Sequence, residues 1–234
     1  MIMATISSKI QEVSGRIARA CDAAGRPVAS VTLLAVSKTQ GPDAVREAVA
    51  AGQRAFGENY VQEALDKMVA LADLRLRLEW HLVGPLQSNK TRAVAEAFDW
   101  VHSVDRLKLA QRLSEQRPAA LPPLQVCLQV NISGEVSKSG VAPGEIEALA
   151  RAVAALPRLR LRGLMAIPEP VDGSEAQRRP HHALRELLDV LNGRGLALDT
   201  LSMGMTADLE AAVLEGATVV RVGTAIFGAR PINR

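Results

Sequence analysis

Two hydrophobic rhythms alternate along this chain. Short runs of nearly continuous apolar residues are separated by longer segments in which apolar residues return every three or four positions. Eight such runs occur: "VTLLAVSK" (Val31–Lys38), "RAFGEN" (Arg54–Asn59), "EWHLVGPL" (Glu79–Leu86), "DWVHSVD" (Asp99–Asp105), "LQVCLQVNI" (Leu124–Ile132), "LRGLMAIP" ending at Pro168, "LDTLSMG" (Leu198–Gly204) and "TVVRVGTAIFG" (Thr218–Gly228). Continuous apolar character without alternation is what strands covered on both faces require. The segments between them carry helical spacing. "PDAVREAVAAG" opens with Pro and Asp and closes on Gly52, and "YVQEALDKMVAL" places Val61, Leu65, Met68 and Leu71 on one face. "NKTRAVAEAF", "RLKLAQRLSEQ", "PGEIEALARAVAAL", "HHALRELLDVLNG" and "TADLEAAVLEG" follow the same rule.

Strand–helix alternation predicts parallel βαβ units, and eight strands predict a closed (β/α)8 barrel in one domain spanning residues 1–234. An open doubly wound sheet is the alternative. The eighth run is expected to have no helix after it. The leading segment "TISSKIQEVSGRIARACDAAG" puts Ile6, Ile10, Val13 and Ile17 on one stripe, and is expected to fill the vacant helix position on the barrel's outside. The Pro-rich stretches "RPAALPP" and "PEPVDGSEAQRRP" read as loops.

Composition narrows the function classes. Of 234 residues, 48% are hydrophobic and 23% charged, the ordinary balance of a globular protein. Aromatics make up only 3%, so the core must be aliphatic. A net charge of +3 without a dense basic block argues against nucleic acid as a partner. Cys21 and Cys127 lie far apart, which suggests neither a disulfide framework nor a zinc site. No signal-peptide pattern opens the chain, and no apolar run reaches the roughly 18 residues of a membrane span. A cytoplasmic protein with no membrane partner is the expectation.

In a barrel the strand C-termini converge on the face that carries chemistry. There the sequence places Lys38, Asn59, Asn131, Met165, Ala166, Ser202 to Gly204, and the "RVGT" of Arg221 to Thr224. Small and hydroxylated ends on strands seven and eight offer backbone N–H groups and hydroxyls to a phosphate, although Gly216 and Gly223 serve equally as turn and packing glycines. Arg221 and Gly223 share parity and so point to the same side. One ligand joins these parts: an aldehyde for Lys38, a ring nitrogen for Arg221, and a phosphate for Ser202, Gly223 and Thr224. Pyridoxal 5′-phosphate has all three.

The motifs "AVSKT", "FGENYVQEA", "WHLVGPLQSNK", "HSVDR", "VNISGEVSKSG", "GLMAIP", "LSMGMTADLEAA" and "VRVGTAIFGAR", in that order, resemble the pyridoxal-phosphate homeostasis protein family over nearly the whole chain. Its barrel is similar to the N-terminal domain of alanine racemase, fold type III. Leu82 stands where an aromatic or Met is more common, and Thr206 where Ser is common. The resemblance implies that Lys38 forms a reversible Schiff base with the cofactor. It also implies that Ser202, Gly223 and Thr224 contact the phosphate, that Arg221 faces the pyridine nitrogen, and that Asn59 and His81 lie near the ring. It further implies a non-catalytic carrier that buffers the cofactor and delivers it to apo-enzymes, expected to be monomeric. The alternative is a racemase-like enzyme, for which Tyr60, the chain's one tyrosine, would have to supply a second acid–base group.

Several residues admit a plainer reading. Lys38 could be a surface lysine. His81, mid-strand, reads equally as a satisfied core histidine. His102, His181 and His182 read as structural, Glu58 as an ion-pair partner, and Lys138 as a solvated loop charge that could also hold cofactor transiently.

Overall fold

The computed structural model describes residues 5–134 and 139–228. Eight parallel strands close into a barrel in chain order: β1 (Thr32–Val36), β2 (Ala55–Glu58), β3 (Glu79–Leu82), β4 (Trp100–Val104), β5 (Leu124–Gln129), β6 (Leu159–Met165), β7 (Thr200–Ser202) and β8 (Val219–Val222). β8 closes on β1 with Leu33 opposite Val220 and Leu34 opposite Arg221. The barrel stands; the open sheet is excluded by that last pairing.

Helices wrap the outside: α1 (Ile6–Ala23), α2 (Pro42–Ala50), α3 (Val61–Ala70), α4 (Thr91–Ala97), α5 (Leu107–Gln116), α6 (Ile146–Ala154), α7 (Ser174–Gly193), α8 (Leu209–Leu214) and the four-residue α9 (Thr224–Phe227). The main core lies between this ring and the sheet, where Phe56, Trp80, Val101, Val126, Leu164 and Val220 meet the apolar helix faces. None of the helices among the described residues is long and apolar enough to cross a membrane.

The leading helix does what its stripe predicts. Ile10, Val13 and Ile17 are buried, and α1 packs against α2 and α8. Thr5 caps its first turn by accepting from the Ser8 N–H at 3.1 Å. Arg16 pairs with Glu210 and donates to the Thr206 carbonyl at 2.8 Å, which ties α1 to a loop over the barrel mouth.

Two expectations change. The eighth run is not one strand, because its strand stops at Val222 and α9 follows, packing on α1. Gly223 breaks the extended backbone between them, with φ −114° and ψ −70°. The stretch before His181 is also not all loop, since α7 begins at Ser174 and runs through Pro180. Proline removes one helical N–H and ordinarily ends a helix. Here the next turns bury His181, Leu184, Leu188 and Leu191, and that burial carries the helix across the defect.

Inside the barrel the layers are not uniformly aliphatic. One small cluster joins Leu34, Ala55, Val83 and Val219, and another joins Trp100, Cys127 and Met165. Between and above them the inward positions are polar: His81, His102, Ser202 and Arg221, all buried. Barrel interiors normally hold bulky branched residues, so this polar column needs a cause. Strand spacing is tight beside it. A Cβ added to Gly163 on β6 would lie 1.8 Å from the Thr200 carbonyl oxygen of β7. Replacing Gly163 by Ala is therefore expected to lower the urea midpoint by the equivalent of about 3 kcal/mol or to prevent folding. Gly144→Ala, where nothing lies within 4 Å, should leave the midpoint unchanged.

Candidate functional site

A cavity of about 310 Å³ opens at the C-terminal mouth of the barrel. Lys38, Asn59, Arg221, Gly223 and Thr224 all line it, brought together from the ends of β1, β2 and β8. Lys38 and Arg221 are the titratable side chains among the described residues around it. His81 and Ser202 do not reach the cavity. They lie beneath it, inside the barrel, at 1% and 0% exposure. Lys138 lies outside the described residues.

Lys38 sits two residues beyond β1, on a tight turn closed by the Gln40 N–H donating to the Ser37 carbonyl at 3.0 Å. Thr39 there has φ +65°, the left-handed region that non-glycine residues rarely occupy. Such a conformation costs about 1–3 kcal/mol and persists only where surroundings impose it. The imposing group is a buried cluster behind the turn. Lys67 of α3 donates to Glu58 at 2.5 Å, to the Ser37 carbonyl at 2.8 Å and to Glu63 at 3.2 Å. Ser37 Oγ donates to Glu58 at 2.6 Å, and the Thr39 N–H donates to Glu63 at 2.6 Å. Both neighbours of Lys38 are thus held by one ion-pair cluster. Burial pushes the Glu58 carboxyl up, against the opposing pull of Lys67 and Ser37. Glu58 is the ion-pair partner its sequence suggests.

Arg221 forms the floor. Its side chain points inward from β8 and donates to the Ser202 carbonyl at 2.6 Å, Ser202 Oγ at 2.9 Å and the Ala166 carbonyl at 2.8 Å. Burial pushes its pKa down to about 10, so it stays charged at neutral pH. A guanidinium has five N–H bonds and accepts none. Three are used by described residues, two have no partner among them, and the side chain lines the cavity.

The rim above is supplied by two loops. Gly223 approaches β1 closely, for a Cβ there would lie 3.1 Å from the Val36 carbonyl oxygen. The Thr224 and Thr206 hydroxyls face each other at 3.4 Å. Thr206 belongs to a turn that begins at Gly204, with φ +88°, and is fastened by the Met205 N–H donating to Asp208 at 2.7 Å. Thr206 and Met205 line the cavity and were not singled out as site residues from sequence. The available signal was position: Ser202 still lies on the strand, whereas the chain beyond Gly204 turns over the mouth.

Comparison with known proteins gives a consistent set of relatives. Residues 12–231 match the family described as "Alanine racemase, N-terminal domain". The chain is 66% identical over 228 residues to the pyridoxal phosphate homeostasis protein of Pseudomonas aeruginosa, covering 97% of each. It is 52% identical to the protein of that name from Escherichia coli K12, covering 99% of this chain and 100% of that one. The solved structure of PipY from Synechococcus elongatus with PLP bound superposes with a TM-score of 0.80 at 40% identity, covering 91% of this chain and 100% of PipY.

The Lys67 cluster makes a prediction of its own. Removing one partner of a buried ion pair leaves an uncompensated charge, at a cost of about 3–5 kcal/mol. Lys67→Met should lose about that much stability in urea unfolding. The double change Lys67→Met with Glu58→Gln should recover part of it, because the stranded carboxylate is gone.

Proposed function

The chain belongs to the pyridoxal phosphate homeostasis protein family, and from that premise we propose that its cavity holds pyridoxal 5′-phosphate reversibly on Lys38, as an intracellular reserve of the cofactor that is released to apo-enzymes. The observation that carries this reading is the pairing, in one cavity, of a lysine amine with a buried arginine that has two donors to spare.

The residues present fit the group. A guanidinium can only donate, so whatever meets its unused N–H bonds must be an acceptor, and an unprotonated pyridine nitrogen is one. Thr206 and Thr224 hydroxyls, with the backbone N–H groups of Thr224 and Ala225, suit a phosphate, whereas those of Ile226 and Phe227 already donate to the Gly223 carbonyl. When bound, the cofactor supplies an aldehyde carbon with which a lysine amine condenses reversibly. Lys38 delivers that amine from a turn held on both sides. Arg221 orients the ring and, being unable to accept a proton, keeps the ring nitrogen unprotonated. That weakens the ring as an electron sink and counts against decarboxylation or transamination more than against racemisation.

The same cavity argues for carriage over catalysis. Racemisation needs a second acid–base group opposite the lysine. Among the described residues around the cavity there is no Tyr, His, Cys, Asp or Glu. Tyr60, next to Asn59, caps α3 without lining the cavity and is 57% exposed. Asn59 lines the cavity and is assigned to holding the ring. A single-domain monomer suffices for this function, since one barrel mouth supplies every group named.

Borohydride reduction of the loaded protein followed by peptide mass analysis should place a pyridoxyl group on Lys38; an adduct confined to Lys90 or Lys138 would refute the assignment. Thr206→Ala and Thr224→Ala should each weaken retention of pyridoxal 5′-phosphate by roughly 0.5–1.5 kcal/mol, and more where the phosphate charge strengthens the bond. Both variants should bind pyridoxal, which lacks the phosphate, as the wild type does. Loaded protein incubated with single amino-acid enantiomers in deuterated water should incorporate no deuterium at Cα at turnover rates. Incorporation that is lost in Tyr60→Phe would replace the carrier by an enzyme.

A further inference from the structure

The polar column inside the barrel has a direction. Glu79, at the start of β3, is half-exposed at the N-terminal mouth. Its carboxylate lies 2.8 Å from His81 Nε2; His81 Nδ1 lies 2.8 Å from His102 Nε2; His102 Nδ1 lies 2.7 Å from Ser202 Oγ; and Ser202 Oγ lies 2.9 Å from the Arg221 guanidinium. Four contacts join the two ends of the barrel.

Chemistry at each joint fixes which atom carries the proton. Arg221 can only donate, so Ser202 Oγ accepts from it. The serine hydroxyl then has one remaining partner, His102 Nδ1, and its hydrogen must point there or go unpaired in a fully buried position. His102 is fully buried, and desolvation holds its pKa well below the usual histidine value, with His81 and Arg221 adding to the effect. It is therefore neutral, with Nδ1 bare and the proton on Nε2. That proton is donated to His81 Nδ1, which leaves the His81 proton on Nε2, facing Glu79. The His81 hydrogen bond in turn lowers the Glu79 pKa, against the effect of its partial burial, so Glu79 is charged. Every donor points away from Arg221 and toward the carboxylate.

We propose that Glu79, His81, His102 and Ser202 form a one-directional hydrogen-bond wire that orients Arg221 from below and stabilises its charge, so that all four are positioning residues for the cofactor ring although none of them lines the cavity. Arg221 is buried, and its hydrogen-bond partners among the described residues are carbonyls and a hydroxyl, while the nearest carboxylate influence on its charge, that of Asp208, acts without a hydrogen bond. Aligned hydrogen bonds polarise one another in a low-dielectric interior, and this one ends on a full negative charge. The arrangement has the residue types of a Glu–His–Ser relay. Ser202 nonetheless has no exposed surface and already holds Arg221, so it positions and does not attack.

The inference rests on the cofactor reading above, and its test separates the two. Long-range ¹H–¹⁵N correlation spectra of the cofactor-free protein at neutral pH should show His81 and His102 both protonated at Nε2 alone. A proton on Nδ1 of either ring would overturn the wire whether or not the cofactor binds. With cofactor, Ser202→Ala and Glu79→Leu should each shift the visible band and raise the dissociation constant roughly 2- to 10-fold, the equivalent of one lost hydrogen bond. Glu79 is the cleaner probe because it sits at the opposite mouth, and Glu79→Gln, which keeps an acceptor but loses the charge, should restore binding only in part. A phosphorylated salicylaldehyde analogue, which has the aldehyde and phosphate but no ring nitrogen, should bind wild type and both variants alike. Equal losses for analogue and cofactor would show a general structural effect and overturn the proposal. Failure of the wild type to bind either compound would refute the cofactor reading, and the proton positions would still decide the wire.

Discussion

The rest of the structure answers to a positive charge buried inside a β-barrel. Arg221 points inward from β8 and is 5% exposed. An ionised group removed from water is tolerated only where it is hydrogen-bonded and electrically compensated. Two backbone carbonyls and one serine hydroxyl meet the first requirement. The second explains features that otherwise look unrelated. The interior is polar where barrels are normally aliphatic, two histidines occupy inward positions of β3 and β4, and a carboxylate stands at the far end of their contacts. The mouth side of the guanidinium lines the cavity, where the proposed ligand would meet it.

Lys38 poses the opposite problem. On the proposed reading it presents its amine from a precisely placed backbone, and support for that backbone lies behind the turn. Lys67, Glu58 and Glu63 grip Ser37 and Thr39 and hold Thr39 in a left-handed conformation. The two lysines differ in setting: the buried Lys67 fixes the geometry of the turn, and Lys38 lines the cavity at the mouth.

The barrel was legible in the sequence because strands covered on both faces leave continuous apolar runs, and all eight runs contain strands. Where the reading missed, a local signal had been outvoted by packing. Pro180 and its polar neighbours looked like loop, yet the buried face from His181 onward extends the helix back to Ser174. The tail of the eighth run was apolar enough to pass for strand, but Gly223 turns it into α9. In the site, parity along the strands separates inward from outward positions and says nothing of depth along the barrel axis. Ser202 and Arg221 both point inward, and only the fold shows that Ser202 lies below the guanidinium while Thr206, four residues later, returns over the mouth. The link between His81, His102 and Ser202 joins strands far apart in sequence, so no motif could announce it.

On the proposed reading, Lys38 and Arg221 meet opposite ends of one ring. A crystal structure of the protein grown with pyridoxal 5′-phosphate tests this most directly. The account predicts continuous density from Lys38 Nζ into the ring, the ring nitrogen about 3 Å from the Arg221 guanidinium, and the phosphate against Thr206 and Thr224. A ring carried by another lysine, or a phosphate seated on Arg221 with the ring turned outward, would contradict it.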